Sequence, residues 1–264
     1  MTTPDQSRLA ARVWPWAVTL VALAVAVPVI ALVVRDNPAT SASGRVATAL
    51  AAGPTSVPDV PAPSAGTAVA PTRGTERRPT RALFFGDSYF IGGGYTNENN
   101  SMAKLAGNRL GWASQINGGG GTGFVQTNYE YDLGSYLDQI AQGAFDVGPR
   151  RWVVIEGGNN DLTQSLDDVR RNARKVVRIA QRTFPHAKIV LVGPLDTDSD
   201  HTELIPMITL MRNVADKRGV PFVNMKNWLA GHYDLIGPDY VHPYPKGHRI
   251  LGRKLAKALR RLGA

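Results

Sequence analysis

Arg81-Ala82-Leu83-Phe84-Phe85-Gly86-Asp87-Ser88 is the stretch on which the fold turns. Residues 82–85 are apolar without alternation, the mark of a strand buried on both faces, and the glycine behind them allows a tight turn. Segments 152–155 and 189–192 repeat the pattern, each soon followed by glycine. Residues 220–224 are a fourth candidate strand and 113–117 a weaker fifth. Between them lie helical spacings. Leu166, Val169, Ala173, Val176, Ala180 and Phe184 recur three or four apart, and 204–215 and 249–262 are further helices. Strands alternating with helices predict an α/β domain with a parallel sheet covered on both faces. Such folds bind ligands beyond the carboxyl ends of their strands, so the loops right after the strands are where chemistry is expected.

Three of those places carry reactive residues. Ser88 follows the first strand at a glycine turn, a position suited to an exposed nucleophile and equally to a helix N-cap. After segment 152–155 comes Gly157-Gly158-Asn159-Asn160-Asp161, which reads as a turn and helix cap or as the donor of an oxyanion-stabilising amide. Near the C-terminus stands Asp239-Tyr240-Val241-His242-Pro243. An Asp three residues before a His in a proline-bounded loop can set carboxylate against imidazole, fixing its tautomer and stabilising its protonated form. Of the five histidines, His201 also has such an Asp, Asp198, but Thr202 follows it. Only His242 has both the Asp and a rigid proline behind it. The three signals together are far more specific than any one.

On these residues the chain resembles the SGNH hydrolase superfamily, also called the GDSL esterase/lipase family, over roughly residues 80–264. Gly86-Asp87-Ser88 stands where the family has its nucleophile block. Gly158-Asn159-Asn160-Asp161 matches its Gly-x-Asn-Asp block, and residues 239–242 match its Asp-x-x-His block. Its remaining block needs a glycine after the second strand. Residues 117–124, Asn-Gly-Gly-Gly-Gly-Thr-Gly-Phe, supply several, of which Gly121 is the first choice and Gly120 the second. The resemblance implies a three-layer α/β/α, flavodoxin-like fold and a serine mechanism. Ser88 attacks an ester carbonyl, His242 takes its proton and Asp239 orients His242. The N–H of Ser88, that of Gly121 and the Asn160 side chain form the oxyanion hole. Asp87 holds the turn. No metal or cofactor is implied. A Gly-x-Ser-x-Gly elbow is absent from the sequence, which argues against the common α/β-hydrolase arrangement.

The rest of the chain suggests where this domain works. Residues 14–34 form a 21-residue run without charge, opened by Trp14 and Trp16. About 20 apolar residues cross a bilayer, whereas the apolar part of a cleaved signal peptide has roughly 7 to 15. The run therefore reads as an uncleaved signal anchor, with small residues such as Ala47 and Ala49 leaving cleavage open. Arg8 and Arg12 before it place residues 1–13 in the cytoplasm and all that follows outside. Residues 35–79, rich in Pro, Ala, Thr and Ser, read as a disordered linker, and 80–264 as the catalytic domain. The whole looks like a membrane-anchored member of the actinobacterial type. It is expected to act on an acyl ester of a cell-envelope glycan, lipid or related molecule, by hydrolysis or by transfer to a hydroxyl. The alternative is a catalytically silent SGNH-fold module that binds anionic envelope polymers.

Composition narrows the choice. There are no cysteines, which excludes a disulfide framework, a cysteine nucleophile and thiolate zinc sites. The net charge is +9, much of it in Arg170, Arg171, Arg174, Lys175, Arg178 and Arg182 and in Arg249, Arg253, Lys254, Lys257, Arg260 and Arg261. At helical spacing these read as solvated helix faces, and no nucleic-acid motif accompanies them. Gly118, Gly120 and Gly123 formally match a dinucleotide fingerprint, but residues 124–129 are a poor helix start. Asp196, Asp198 and Asp200 lack the glycine and glutamate of a calcium loop and read as solvated carboxylates, and neither Asp198 nor His248 is expected to matter. Residues 92–95 and 129–131 are candidate walls of the substrate site.

Overall fold

The structure, a computed structural model, describes residues 78–198 and 202–264. The expected anchor, nearly all of the linker, Asp200 and His201 lie outside the described residues. Among the described residues no helix is long and apolar enough to cross a membrane.

Five strands form one sheet. They are β1 (Arg81–Gly86), β2 (Ala113–Gly118), β3 (Trp152–Glu156), β4 (Lys188–Val192) and β5 (Phe222–Val223). Their order is β2-β1-β3-β4-β5 and every neighbouring pair is parallel, the flavodoxin-like order. Alternate residues of each central strand serve opposite faces. Ala82 and Phe84 of β1, with Val154 and Val190, join one core; Leu83 and Phe85, with Val153 and Leu191, join the other. The helices α2 (Met102–Leu110) and α6 (Pro245–Arg261) bury their apolar sides in the first core. The second is covered by α4 (Leu166–Thr183) and α5 (Leu204–Arg218). Two short helices, α1 (Ser88–Ile91) and α3 (Tyr136–Ala141), follow the ends of β1 and β2.

Local chemistry accounts for where the sequence reading falls short. Strand β2 is an edge strand with polar Ser114, Gln115 and Asn117, so its apolar signal is weak. Only two residues of 220–224 are strand: Pro221 has no N–H for a ladder, although its carbonyl accepts from Leu191 N. Helix α6 starts four residues before the predicted 249, with Pro245 in its first turn. Asp196 is not solvated. It is 4% exposed and pairs with Lys226 at 2.7 Å, because Lys226 follows β5 alongside the loop after β4. The basic face of α4 is exposed as expected, with Asp167 and Asp168 pairing to Arg170 and Arg171 one turn on.

His248 also departs from expectation. It is fully buried in α6, and its Nδ1 accepts the N–H of Met102, the first residue of α2, at 3.1 Å. The ring therefore completes the start of one helix from the flank of another. Burial, and then the nearby His242 charge, pushes its pKa down from 6.5 to about 4. Replacing it leaves a cavity and an orphaned N–H, so His248→Ala is expected to destabilise the protein by about 2–3 kcal/mol at neutral pH. The sign of the pH effect follows. Between pH 6.5 and 4 the unfolded chain binds a proton that the folded chain refuses, so the contribution of His248 is complete above pH 6.5 and lost as pH falls toward 4. Denaturant unfolding of wild type and variant at pH 7.5 and 4.5 should show the gap between them narrowing at the lower pH.

Candidate active site

Ser88 is the first residue of α1, and Asp87 before it is the N-cap, its Oδ1 accepting from Tyr89 N at 3.0 Å. The carboxylate thus does the capping that the serine would do in a purely structural reading, and leaves the Ser88 hydroxyl free for another partner. That partner is His242: Ser88 Oγ lies 2.9 Å from Nε2. The ring's Nδ1 donates to Asp239 Oδ2 at 2.7 Å. The other oxygen, Oδ1, accepts the N–H groups of Val241 and His242, both at 3.0 Å. One carboxylate therefore shapes the turn and holds the ring, which explains the spacing of three. Burial pulls the Asp239 pKa upward, but the bonds from His242 and Val241 outweigh it and leave it below the usual carboxylate value. The hydroxyl of Tyr89, one residue after the serine, donates to Val241 O at 3.0 Å and ties the histidine loop to α1.

The polar groups opposite Ser88 come from the loops after β2 and β3. The N–H groups of Ser88, Gly120 and Gly121 have no acceptor among the described residues. The Gly120 backbone faces the serine, since a Cβ built there would lie 3.9 Å from Ser88 Cβ; one on Gly121 would lie 2.6 Å from Asn128 Nδ2. Asn160 Nδ2 donates to Thr122 O at 2.9 Å and to Asp87 Oδ2 at 3.2 Å. Neither Asn159 nor Asn160 caps a helix. Asn159 bridges to Leu195, accepting its N–H and donating to its carbonyl. No helix starts at Gly123 or Phe124, so the dinucleotide reading of these glycines has no structural counterpart.

The flanking loops differ in their roles. Gly93 and Gly94 lie directly on the catalytic-looking pair: a Cβ on Gly93 would be 2.6 Å from Ser88 Cβ, and one on Gly94, at φ +68°, would overlap the base of the His242 side chain. Tyr95 beyond them stacks on Tyr244 at 5.0 Å and covers Gly237. A cleft of about 410 Å³ adjoins this wall, lined among others by Thr197, Asp198, Tyr233, Asp234, Tyr240 and Tyr244. Tyr129 and Tyr131 are exposed surface aromatics instead, anchored below by Asn128, whose Nδ2 donates to Gly120 O at 2.9 Å.

Two buried carboxyl groups lie beneath the site: Asp161, the last residue of the Gly-x-Asn-Asp block, and Glu156, which the sequence reading does not single out. Glu156, the last residue of β3, accepts from Asp87 N at 3.2 Å and is fully buried. Burial first, then the Asp87 charge, pushes its pKa well up, while burial raises Asp87 to about 6. Burial beside a second carboxyl thus favours the protonated form of Glu156. Asp161 accepts three backbone N–H groups, from Phe124 and Val125 at 2.8 Å and Gln126 at 3.0 Å. A glutamate ending an otherwise apolar buried strand is the signal that could have flagged Glu156. Among the described residues no group of acidic or histidine side chains has the makings of a metal site.

The contact of residues 93 and 94 with the serine and histidine gives a test. Gly94→Ala forces a side chain into left-handed backbone and against His242, so ester turnover should fall at least tenfold. The melting temperature should drop by only a few degrees, since the backbone strain is about 1–2 kcal/mol. Steady-state hydrolysis of p-nitrophenyl acetate and thermal denaturation check both halves.

Solved structures share the fold. A family two carbohydrate esterase from Clostridium thermocellum in complex with cellohexaose superposes with a TM-score of 0.58 at 20% identity, over 71% of this chain. This chain spans 66% of that protein's length. A family 2 carbohydrate esterase from Corynascus thermopiles (Myceliophthora fergusii) with a carbohydrate-binding domain gives 0.58 at 22%, over 79% of this chain and 69% of that one. A carbohydrate acetylesterase family member from Sinorhizobium meliloti gives 0.56 at 17%, over 70% and 100%. At these identities the likeness is one of fold. No curated protein has significant sequence similarity to the chain. The GDSL-like lipase/acylhydrolase family model matches residues 84–250, which carry every element of the site just described, and the chain belongs to that family of serine ester hydrolases.

Proposed function

We propose that Ser88, His242 and Asp239 form the catalytic triad of an acyl-ester hydrolase or O-acyltransferase whose acyl group sits on a glycan. The observation that carries this is the unbroken hydrogen-bond chain from Ser88 Oγ through His242 to Asp239, set beside three N–H groups that have no acceptor among the described residues. His242 Nε2 takes the serine proton as Oγ adds to the ester carbonyl, and later returns it to the departing alcohol. Asp239 holds the ring in the tautomer that leaves Nε2 basic. The oxyanion is met by the Ser88 N–H, a backbone N–H of the Gly120–Gly121 turn and the Asn160 amide. Asn160 reaches it by exchanging its longer bond, that to Asp87, while keeping Thr122. Water or a hydroxyl of an acceptor then cleaves the acyl-enzyme.

A glycan is favoured over a long-chain lipid by the cleft that Pro238 and Tyr240, flanking Asp239, help to line. Tyrosine rings stack on sugar faces, and the Asp234 carboxylate suits sugar hydroxyls better than acyl chains. The carbohydrate esterases with the same fold support the same choice. Residues 14–34 complete the proposal as a signal anchor that holds the domain on the outer side of the cytoplasmic membrane, next to envelope glycans.

The mechanism predicts a graded mutant series. Ser88→Ala should abolish labelling by a fluorophosphonate probe, and His242→Ala should nearly do so. Asp239→Asn should cost up to about 10⁴-fold in turnover, by favouring the wrong tautomer. Asn160→Ala should cost roughly 10²–10³-fold yet still label slowly. Labelling unchanged in both the Ser88 and His242 variants would exclude the triad. Topology is checked separately: a reporter enzyme fused after Ala264 should be active outside the cytoplasm and fractionate with membranes, and a cytoplasmic signal would reject the anchor.

A further inference from the structure

The amino ends of the strands carry a second concentration of chemistry. A cleft of about 720 Å³ is lined by Arg78, Arg81, Arg150, Arg151 and His186, together with Pro79, Thr80, Gly111 and Pro149. Arg81 opens β1, Arg151 immediately precedes β3, and Gly111 and His186 lie just before β2 and β4. The cleft therefore sits at the opposite edge of the sheet from Ser88, about 17–20 Å away by the length of a five- or six-residue strand.

No carboxylate lines this cleft, and none of the four guanidinium groups forms an ion pair among the described residues. Arg150 is the telling member. It is 8% exposed, its terminal nitrogens bond to Gln115 and to the carbonyls of Gly148 and Pro149, and its buried Nε has no partner. Neutral acceptors hold that side chain in place without cancelling its charge. Burial, and then the charge of Arg81, lowers its pKa, as expected of cations crowded together without a counter-ion. The basic face of α4 offers the contrast. There Asp167 and Asp168 pair with Arg170 and Arg171 and supply carboxylates that the cleft lacks, although Arg174 Nε is buried without a partner as Arg150 Nε is.

We propose that this cleft binds the phosphate groups of a ligand, independently of the ester-cleaving site. Guanidinium forks match phosphate oxygens in pairs, and a set of them converging without carboxylates gives a local positive field that only an anion relieves. The phosphate could come from a free polyphosphate or from the phosphodiester of a lipid headgroup or envelope polymer. The chemistry of recognition is shared.

The test uses the detergent-solubilised full chain in calorimetric titrations with tripolyphosphate and, separately, with glycerophosphoglycerol, a soluble phosphodiester. Binding of tripolyphosphate alone assigns the site to polyphosphates, and binding of glycerophosphoglycerol assigns it to diesters. In either case Arg81→Gln combined with Arg151→Gln should weaken binding at least tenfold, while turnover of p-nitrophenyl acetate stays within twofold of wild type. Arg170→Gln combined with Arg174→Gln, on α4, should change binding less than twofold. Should the first pair unfold the domain, Arg78→Gln, at an exposed position before β1, should still weaken binding severalfold. Failure of both probes to bind overturns the proposal, as does an equal loss in the cleft and α4 variants.

Discussion

Three consecutive side chains after β3 hold the site together. Asn159 bonds both ways to Leu195 in the loop after β4, Asn160 reaches Asp87 after β1 and Thr122 after β2, and Asp161 gathers the N–H groups of residues 124–126. Each of these loops carries backbone polar groups that have left the sheet and must find partners. The tripeptide supplies them from the one strand that lies between β1 and β4. Without it the strand ends would still be parallel, but the loops above them would have no fixed height relative to one another. Ser88, Gly120 and Asn160 come from different loops, so their separation depends on this cross-bracing.

Beneath it lies a second joint, between the ends of β1 and β3. A Cβ on Gly86 would lie 2.6 Å from Glu156 Oε2, so the glycine is needed for the close approach of the two strand ends. Glu156 is held on its other side by the hydroxyl of Tyr136, which donates to its backbone carbonyl at 2.9 Å. Two ionised carboxylates could not share this dry space. Burial favours the protonated form of Glu156, which relieves the pair of one charge, and Asp87 has both oxygens engaged, one on the cap of α1 and one on Asn160. The buried acid pair thus couples the pose of the serine to that of the amide that would meet the oxyanion.

What was legible in the sequence follows from these constraints. Strands β1, β3 and β4 could be read because burial on both faces demands unbroken apolar runs, and α4 because one buried stripe demands a helical period. Ser88, Asn160 and the Asp239–His242 pair could be read because they lie in short motifs after strands, and the structure brings them together there. The roles of Glu156, Asp161 and His248 could not. Each is a polar residue whose partner is a backbone N–H 35 to 146 residues away, and no local pattern encodes such a meeting. The register of the glycine run 118–121 was ambiguous for a related reason. Four identical residues differ only in backbone direction, which Asn128 and Ser88 decide from outside the run.

The two halves of the proposed triad are fixed by different means. Ser88 opens α1 just beyond the central strand β1, with both its cap and the strand end buried, so its position belongs to the core. His242 stands on a loop whose side chains are partly exposed, and its position is local. Asp239 folds the turn, Tyr240 takes left-handed backbone at φ 57°, Thr197 Oγ1 bonds Tyr240 O at 2.7 Å, and the bridge between Ile236 and Pro243 closes the base. Besides the His242–Ser88 bond itself, Tyr89 and the Gly93–Gly94 backbone connect this loop to the serine. A base that must swing slightly between accepting a proton from Oγ and returning it to a leaving group is better carried on such a loop than on the sheet. The glycines that press on it define how far it can swing. That is why their lack of side chains belongs to the chemistry of the site and not merely to the turn.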